Sequence, residues 1–511
     1  MDVAAPAVAQ PKGVRLAIVV AVVLSAVLEV LDSTIVNVAL PHISAAFGAS
    51  TDQTTWILTS YIVAAVVIMP LTGVLARRVG RRNLILTAIT GFVCFSMLCG
   101  LSTGLEMIVA CRMGQGVFGA FLIPLSQSIL FDAFPREKRG QSMAMFGLGV
   151  VVAPVLGPTL GAVLTEYFSW RMVFFVNLPV AAFALMMLAG ELPKDRREDV
   201  RIDYRTLVLM ALGIGALQFT LDQGTSLNWL SSHVIQVAIM VAVLGGVAFL
   251  WRSLRQDAPL VDVRLFAERN FGLANLVIAG FAVSMFGGIA ILPLFLQGLL
   301  GYPVIEAGMI FIPRGLAAAV ATVLVGAVLV NRMDPRLLGG LGLVLLAISN
   351  FMMASMTLEA DFWQLAWPGV FSGLGMGLVF VPMSTLAFDR ISSARQDEAS
   401  GLFSVTRQLG SSIGIAIVGA ILVNQISTSN AILGGSITPY DPAAYAYLSG
   451  LGLTPQSTQG AALMAGEVAR QAELLAYTTV FRLLGWTSLV LVPLVALMQK
   501  PLPGAAKPVA V

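Results

Sequence analysis

Hydrophobic runs about 20 residues long recur from Arg15 almost to Lys500, and they limit what this chain can fold into more than any other feature. Runs of that length cross a bilayer as helices, because hydrocarbon offers no partner for an unpaired backbone N–H or C=O. Fourteen spans can be counted, at 16–36, 56–75, 84–101, 107–130, 142–164, 172–188, 206–221, 234–250, 271–296, 305–330, 337–356, 365–388, 401–423 and 474–497. Lysine and arginine fill every second gap. They are Lys12 and Arg15; Arg77, Arg78, Arg81 and Arg82; Arg136, Lys138 and Arg139; Lys194, Arg196, Arg197, Arg201 and Arg205. The series continues with Arg252, Arg255, Arg264 and Arg269; Arg332 and Arg336; Arg390 and Arg395; Lys500 and Lys507. The other gaps hold only Arg171 and Arg470. By the positive-inside rule the basic gaps and both termini face the cytoplasm, which requires an even number of spans. The expected fold is all-α and polytopic.

With 58% hydrophobic and 11% charged residues, no large soluble domain fits between the spans. The net charge of +3 belongs to the loops, and no basic patch interleaved with aromatics points to nucleic acid. The first span lacks a small-residue cleavage site and reads as an uncleaved helix. Cys94, Cys99 and Cys111 lie within or beside the third and fourth spans and read as apolar filler rather than metal ligands or a disulfide. There is no Gly-Lys dipeptide, hence no Walker-type phosphate loop, and His42 and His233 sit alone in outer segments. No enzyme, cofactor or metal site is expected, and any transport would draw on an ion gradient.

A repeat divides the chain. Phe121-Leu-Ile-Pro124-Leu-Ser126, running on to Phe131-Asp132, returns as Phe380-Val-Pro382-Met-Ser384 and Phe388-Asp389, 258 residues later. The segment from Gly73 through Arg77, Arg78, Gly80, Arg81 and Arg82 has a degraded echo from Gly326 through Asn331, Arg332, Asp334 and Arg336, 253 residues later. Spans one to six then match nine to fourteen, and seven and eight are an inserted pair, an arrangement akin to the internal repeats of many secondary transporters. The expected division is 1–195 for the first six-helix bundle, 196–264 for the inserted pair with its linkers, and 265–511 for the second bundle. The second bundle carries a long outer loop at 424–473 that includes Pro439-Tyr-Asp-Pro442 and a run, 457–472, able to form a helix outside the membrane.

Charge inside a bilayer is costly, so its location is the best functional lead. Glu29 and Asp32 are three residues apart in the first span and share a helix face. Two carboxylates crowded in a poorly solvated site do not both ionise easily, which suits one of them to take up and release a proton. The bland alternative is a carboxylate paired permanently with an arginine. In the fourth span Arg112 stands beside Gly114, Gln115, Gly116 and Gly119, residues that admit a close neighbour. Arginine stays charged when buried, so Arg112 could serve a nearby carboxylate, hold an anion, or only anchor two helices. Arg314, after Pro313, and Arg407, before Gln408, are candidates for comparable parts in the second half. The fifth span contains Pro154, Gly157, Pro158 and Gly161, a pattern that bends a helix and packs it tightly, as a gate beside a cavity would need.

Together these motifs resemble the major facilitator superfamily, and specifically its fourteen-span drug:proton antiporter branch of the EmrB and QacA type, over essentially the whole chain. Leu31-Asp32-Ser-Thr-Ile-Val-Asn37-Val-Ala-Leu-Pro41 is similar to the branch's first-helix motif, and Gly73 to Arg82 to the superfamily's loop motif. Arg112-x-x-Gln115-Gly116 resembles the span-four motif assigned to proton transfer, and Ala153-Pro154-x-x-Gly157-Pro158-x-x-Gly161 the antiporter motif of exporters. Ile123-Pro-Leu-Ser-Gln-Ser128, Leu221-Asp222-Gln-Gly and Leu227-Asn-Trp229 look most like the EmrB-type inner-membrane pumps.

The resemblance implies proton-driven efflux of hydrophobic or amphipathic toxic compounds, with Asp32, Arg112 and Glu29 in proton coupling and Gln115, Arg314 and Arg407 added at the cavity. It also implies a periplasmic adaptor (membrane fusion protein) and an outer-membrane channel as partners, with the 424–473 loop as docking element. Rival readings are an exporter of one metabolite, siderophore or fatty acid, a symporting importer, and a non-transporting sensor. Two residues depart from the pattern. Arg77 stands where the loop motif usually has an acid, so its charge relay should be rearranged, and Ala162 replaces a terminal glycine of the antiporter motif.

Overall fold

The computed structural model describes residues 16–135, 138–192, 197–200, 202–436, 438 and 440–501. Of the residues singled out above, Lys12, Arg15, Arg136, Lys194, Arg196, Arg201, Pro439 and Lys507 lie outside that set. Among the described residues thirteen helices are candidate spans, and a bent pair taken as one span makes fourteen. The first half comprises α1 (Leu16–Phe47), α2 (Asp52–Val79), α3 (Arg81–Gly100), α4 (Leu105–Ala133), α5 (Arg139–Tyr167) and α6 (Met172–Glu191). Then come α7 (Tyr204–Gln223) and α8 (His233–Arg255), followed by α9 (Arg269–Leu299), α10 (Ile305–Leu329), α11 (Pro335–Met353), α12 (Phe362–Phe388), α13 (Ser393–Ser436) and α14 (Thr458–Ala496). Thirteen are long and apolar enough to cross a bilayer as they stand, and α5 crosses with a 44° bend between its segments Arg139–Pro154 and Leu156–Tyr167. Pro154 and Pro158 remove two backbone donors from that ladder, which accounts for the bend.

Local chemistry fixes the ends. Ser50 and Gln53 form a capping box at the start of α2, and Asp361 and Gln364 form one at the start of α12. Between α2 and α3 the chain reverses around Gly80, whose φ of 91° is a conformation that L side chains rarely adopt. Lipid gives apolar side chains no reason to leave it, so the spans meet where small residues let backbones approach. A Cβ on Gly213 of α7 would lie 2.6 Å from the backbone of Gly246 on α8, and one on Gly375 of α12 would lie 2.7 Å from the carbonyl of Gly342 on α11.

One correction concerns the outer segment. Residues 424–473 are not a long loop: α13 runs to Ser436 and α14 starts at Thr458, so most of the segment continues those two helices. The expected helix over 457–472 is thus the first part of α14. At about 1.5 Å per residue, α13 with 44 residues and α14 with 39 exceed a hydrocarbon core of about 30 Å. A short helix, Pro442–Ser449, lies in the turn between them.

The halves meet at the arginine-rich end. A Cβ on Gly73 of α2 would touch the backbone and Cβ of Glu398 on α13, and one on Gly401 would lie 2.9 Å from the Met69 carbonyl. The mirror contact joins α5 to α10, where a Cβ on Gly140 would lie 2.6 Å from Val330 and one on Gly326 would overlap Ala144. Gly73 and Gly326 are the repeat-related glycines, so the repeat seen in the sequence builds both seams. The inserted pair leans on both halves: Gln223 donates to Thr59 of α2 at 3.0 Å, and Gln218 donates to Ser412 of α13 at 2.7 Å.

Candidate functional site

Asp32 has no exposed surface and is held by donors from two other helices, α4 and α6. Its Oδ2 accepts from Arg112 Nη1 of α4 at 2.5 Å, and its Oδ1 accepts from Gln115 Nε2 at 2.9 Å and from Asn177 Nδ2 of α6 at 2.7 Å. Arg112 is equally buried and donates also to the Ile57 carbonyl of α2 at 3.2 Å and to Gln115 Oε1 at 2.8 Å. Its guanidinium lies 4.1 Å over the Tyr61 ring, while Nη2 has no partner. The three-residue spacing of Arg112 and Gln115 puts both on one face of α4, so one helix supplies both the charge and the amide. Asn177 is tied in turn to Ser96 Oγ of α3 at 3.0 Å. A buried ion pair stands only when its remaining hydrogen-bonding positions are met, and here the surrounding amides meet those of the carboxylate.

Glu29 shares the face of Asp32 but not its partners. It is 6% exposed, and among the described residues no hydrogen bond or close ion pair reaches its carboxylate. The two carboxylates therefore differ in surroundings: Asp32 is hydrogen-bonded within the first half, and Glu29 is buried without such bonds.

The fifth-span glycines form a seam on α1. A Cβ on Gly157 would overlap the Thr34 hydroxyl, and one on Gly161 would lie 2.9 Å from the Ile35 carbonyl. This seam begins two residues after Asp32, so the bent helix packs directly against the turn that carries the carboxylate.

At the arginine-rich end, Arg81 pairs with Asp132 of α4 and donates through Nε to Asp397 of α13 at 2.6 Å, and Ser128 of α4 also bonds Asp397. Arg82 donates to the Ala189 carbonyl of α6 at 2.5 Å, whereas Arg78 is exposed. Arg77, the departure from the usual pattern, lies 3.9 Å from Glu398 of α13 and 3.8 Å from Glu198. The reversed charge thus meets an acid on the opposing helix. Asp334 in the echo is engaged locally, accepting from Arg336 at 2.7 Å. Arg314 lies in the second half, apart from all of these.

Sequence reasoning missed Asn177, Tyr61, Asp132, Asp397 and Glu398. A lone asparagine in an apolar span was the one signal available for Asn177. The acids at 397 and 398 open a span and read there as ordinary helix-start residues.

These features match known proteins. The Major Facilitator Superfamily family model matches residues 22–415, and the chain belongs to that superfamily, grouping within it with the EmrB-type drug:proton antiporters. It is similar to the multidrug export protein EmrB of Escherichia coli strain K12, 35% identical with 96% of each chain covered. It is also similar to the fatty acid resistance protein FarB of Neisseria gonorrhoeae, 34% identical over 96% of this chain and 97% of that one. Among solved structures, the human organic anion transporter MFSD10 shares the fold with a TM-score of 0.61, at 17% identity and covering 93% of this chain and 99% of that one.

Proposed function

We propose that this protein is a proton-driven exporter of hydrophobic or amphipathic toxic compounds across the inner membrane, with both termini and the arginine-rich end in the cytoplasm. The observation that carries the reading is the fully buried Asp32–Arg112 pair ringed by Gln115 and Asn177. The likeness to a multidrug export protein over nearly the whole chain supports it. A proton arriving at Asp32 removes the charge that holds Arg112, and with it the tie between α1 and α4. The glycine seam lets α1 and α5 slide as that tie loosens. Substrate occupies the space between halves near Glu29 and Arg407, and the seams at the arginine-rich end close the carrier to the cytoplasm.

The protruding ends of α13 and α14 form the docking element for a periplasmic adaptor that leads to an outer-membrane channel. A second reading, an exporter dedicated to a fatty acid, is favoured by the similarity to a fatty acid resistance protein.

The test uses proteoliposomes with an imposed pH gradient and a panel of dyes, comparing the native protein with Asp32→Asn. Gradient-driven dye movement that the mutant loses is expected. Movement unchanged in the mutant would remove Asp32 from the mechanism, and failure of every dye alongside movement of a fatty acid would support the second reading.

A further inference from the structure

The Asp32 cluster has a counterpart in the second half that lacks its carboxylate. In the first half, a Cβ on Gly116 of α4 would overlap the Tyr61 carbonyl of α2; in the second, a Cβ on Gly373 of α12 would overlap the Arg314 carbonyl of α10. The paired positions are 253 residues apart for 61 and 314 and 257 for 116 and 373, in step with the sequence repeat. The α10–α12 crossing therefore repeats the α2–α4 crossing, with Arg314 in the place of Tyr61. Gly369 falls in the place of Arg112, and a Cβ there would lie 3.4 Å from Arg314 Cβ, so the glycine makes room for the arginine that has changed helices.

Ser284 of α9, 252 residues after Asp32, stands where the acid stands in the first half. It lines the same cavity as Arg314 and accepts from Asn350 Nδ2 at 3.1 Å. Arg314 is 6% exposed, its Nε has no hydrogen-bond partner, and no ion pair reaches it among the described residues. A guanidinium does not shed its charge at any ordinary pH, and a buried charge without a partner is expensive. The arrangement is that of the first-half pair with the anion left to come from outside.

We propose that this cavity is a head-group subsite for the carboxylate of an amphipathic acid, which deepens the exporter reading and rests on it. One guanidinium balances one negative charge, and its planar fork matches the two oxygens of a carboxylate. The cavity measures about 30 Å³, room for roughly two water-sized atoms, which suits a head group's two oxygens and not an alkyl tail.

The test is equilibrium binding of radiolabelled decanoate and of decyltrimethylammonium to the full-length protein in nanodiscs. Arg314→Gln should weaken decanoate binding by about tenfold or more, the scale of one charge-assisted hydrogen bond, with the cation's affinity held within about twofold. Ser284→Asp should produce the same loss by restoring the first-half pairing, and it keeps the proposal testable if Arg314→Gln does not fold. Decanoate affinity unchanged in Ser284→Asp, or lost together with that of the cation, would overturn the proposal. So would displacement of decanoate by chloride at matching concentration, which would assign the site to an inorganic anion. Gradient-driven efflux of a cationic dye by the native protein tests the exporter reading separately, so an exporting protein whose decanoate binding ignores both substitutions loses only this site.

Discussion

Asp32 and Glu29 look alike in sequence, one turn apart on one helix, and the structure gives them opposite surroundings. Asp32 is satisfied by an arginine and two amides. Removing Arg112 leaves a buried, uncompensated carboxylate, and Arg112→Ala should destabilise the protein by about 3–5 kcal/mol. Thermal unfolding in detergent measures it, and Asp32→Asn combined with Arg112→Ala should recover part of the loss. Gly157 faces the Thr34 hydroxyl of α1 with no space for a side chain. Gly157→Val should push α5 off α1 at a cost of about 1–3 kcal/mol, visible as a lowered melting temperature. Of these partners the sequence suggested Arg112 and Gln115 but neither Asn177 nor the Thr34 contact, because each lies on another helix at a depth that hydropathy does not report.

At the scale of elements, the inserted pair is pinned at its arginine-rich end by Asp203, which caps α7 and accepts from Thr206, from Gln256 and from Arg252 of α8. Those hydrogen bonds, Thr206 and Gln256 foremost and Arg252 after them, hold the Asp203 carboxyl well below the usual carboxylate range. A depressed value means that the contribution to stability is full above the ordinary carboxylate pKa of about 3.9 and fades as pH falls below it. Protection of the first turns of α7 against hydrogen exchange, relative to the unfolded rate at the same pH, should therefore fall on acidification below about pH 4, and Asp203→Asn should remove that dependence. The protruding turn between α13 and α14 makes a different prediction. On the proposed docking role, replacing 440–457 by a short linker should leave transport in proteoliposomes intact, where no adaptor is present, and abolish resistance in cells. The sequence did show that polar residues and Pro442 interrupt the hydrophobic pattern here. It did not show that the helices continue past the bilayer, since hydropathy ends where lipid ends while backbone hydrogen bonding does not.

For the whole molecule, the proposed mechanism makes the two seams at the arginine-rich end decide which way the carrier is closed. A Cβ on Gly140 would lie 3.3 Å from the Cβ of Val330, near the separation a disulfide needs. In a background with Cys94 replaced, Gly140→Cys with Val330→Cys should cross-link on oxidation and stop transport, with reduction restoring it. Arg77 and Glu398 offer an independent handle across the other seam. Arg77→Glu should loosen that end and raise labelling of a cysteine placed at the buried Ser400 of α13, and adding Glu398→Arg should restore protection.

Much of this architecture was legible in one dimension. Span length, the alternation of arginine-rich gaps and the repeat between Gly73 and Gly326 follow from rules that act locally along a chain: a bilayer's thickness, the cost of moving charge across it, and the steric demand of glycine at a crossing. The choice of partners was not legible. Asp32 with Asn177, Arg77 with Glu398, and Arg314 with no acid among the described residues depend on which faces of distant helices meet. Only the packed bundle settles that, because a buried charge is governed by its nearest neighbours in space, and those lie scores or hundreds of residues away along the chain.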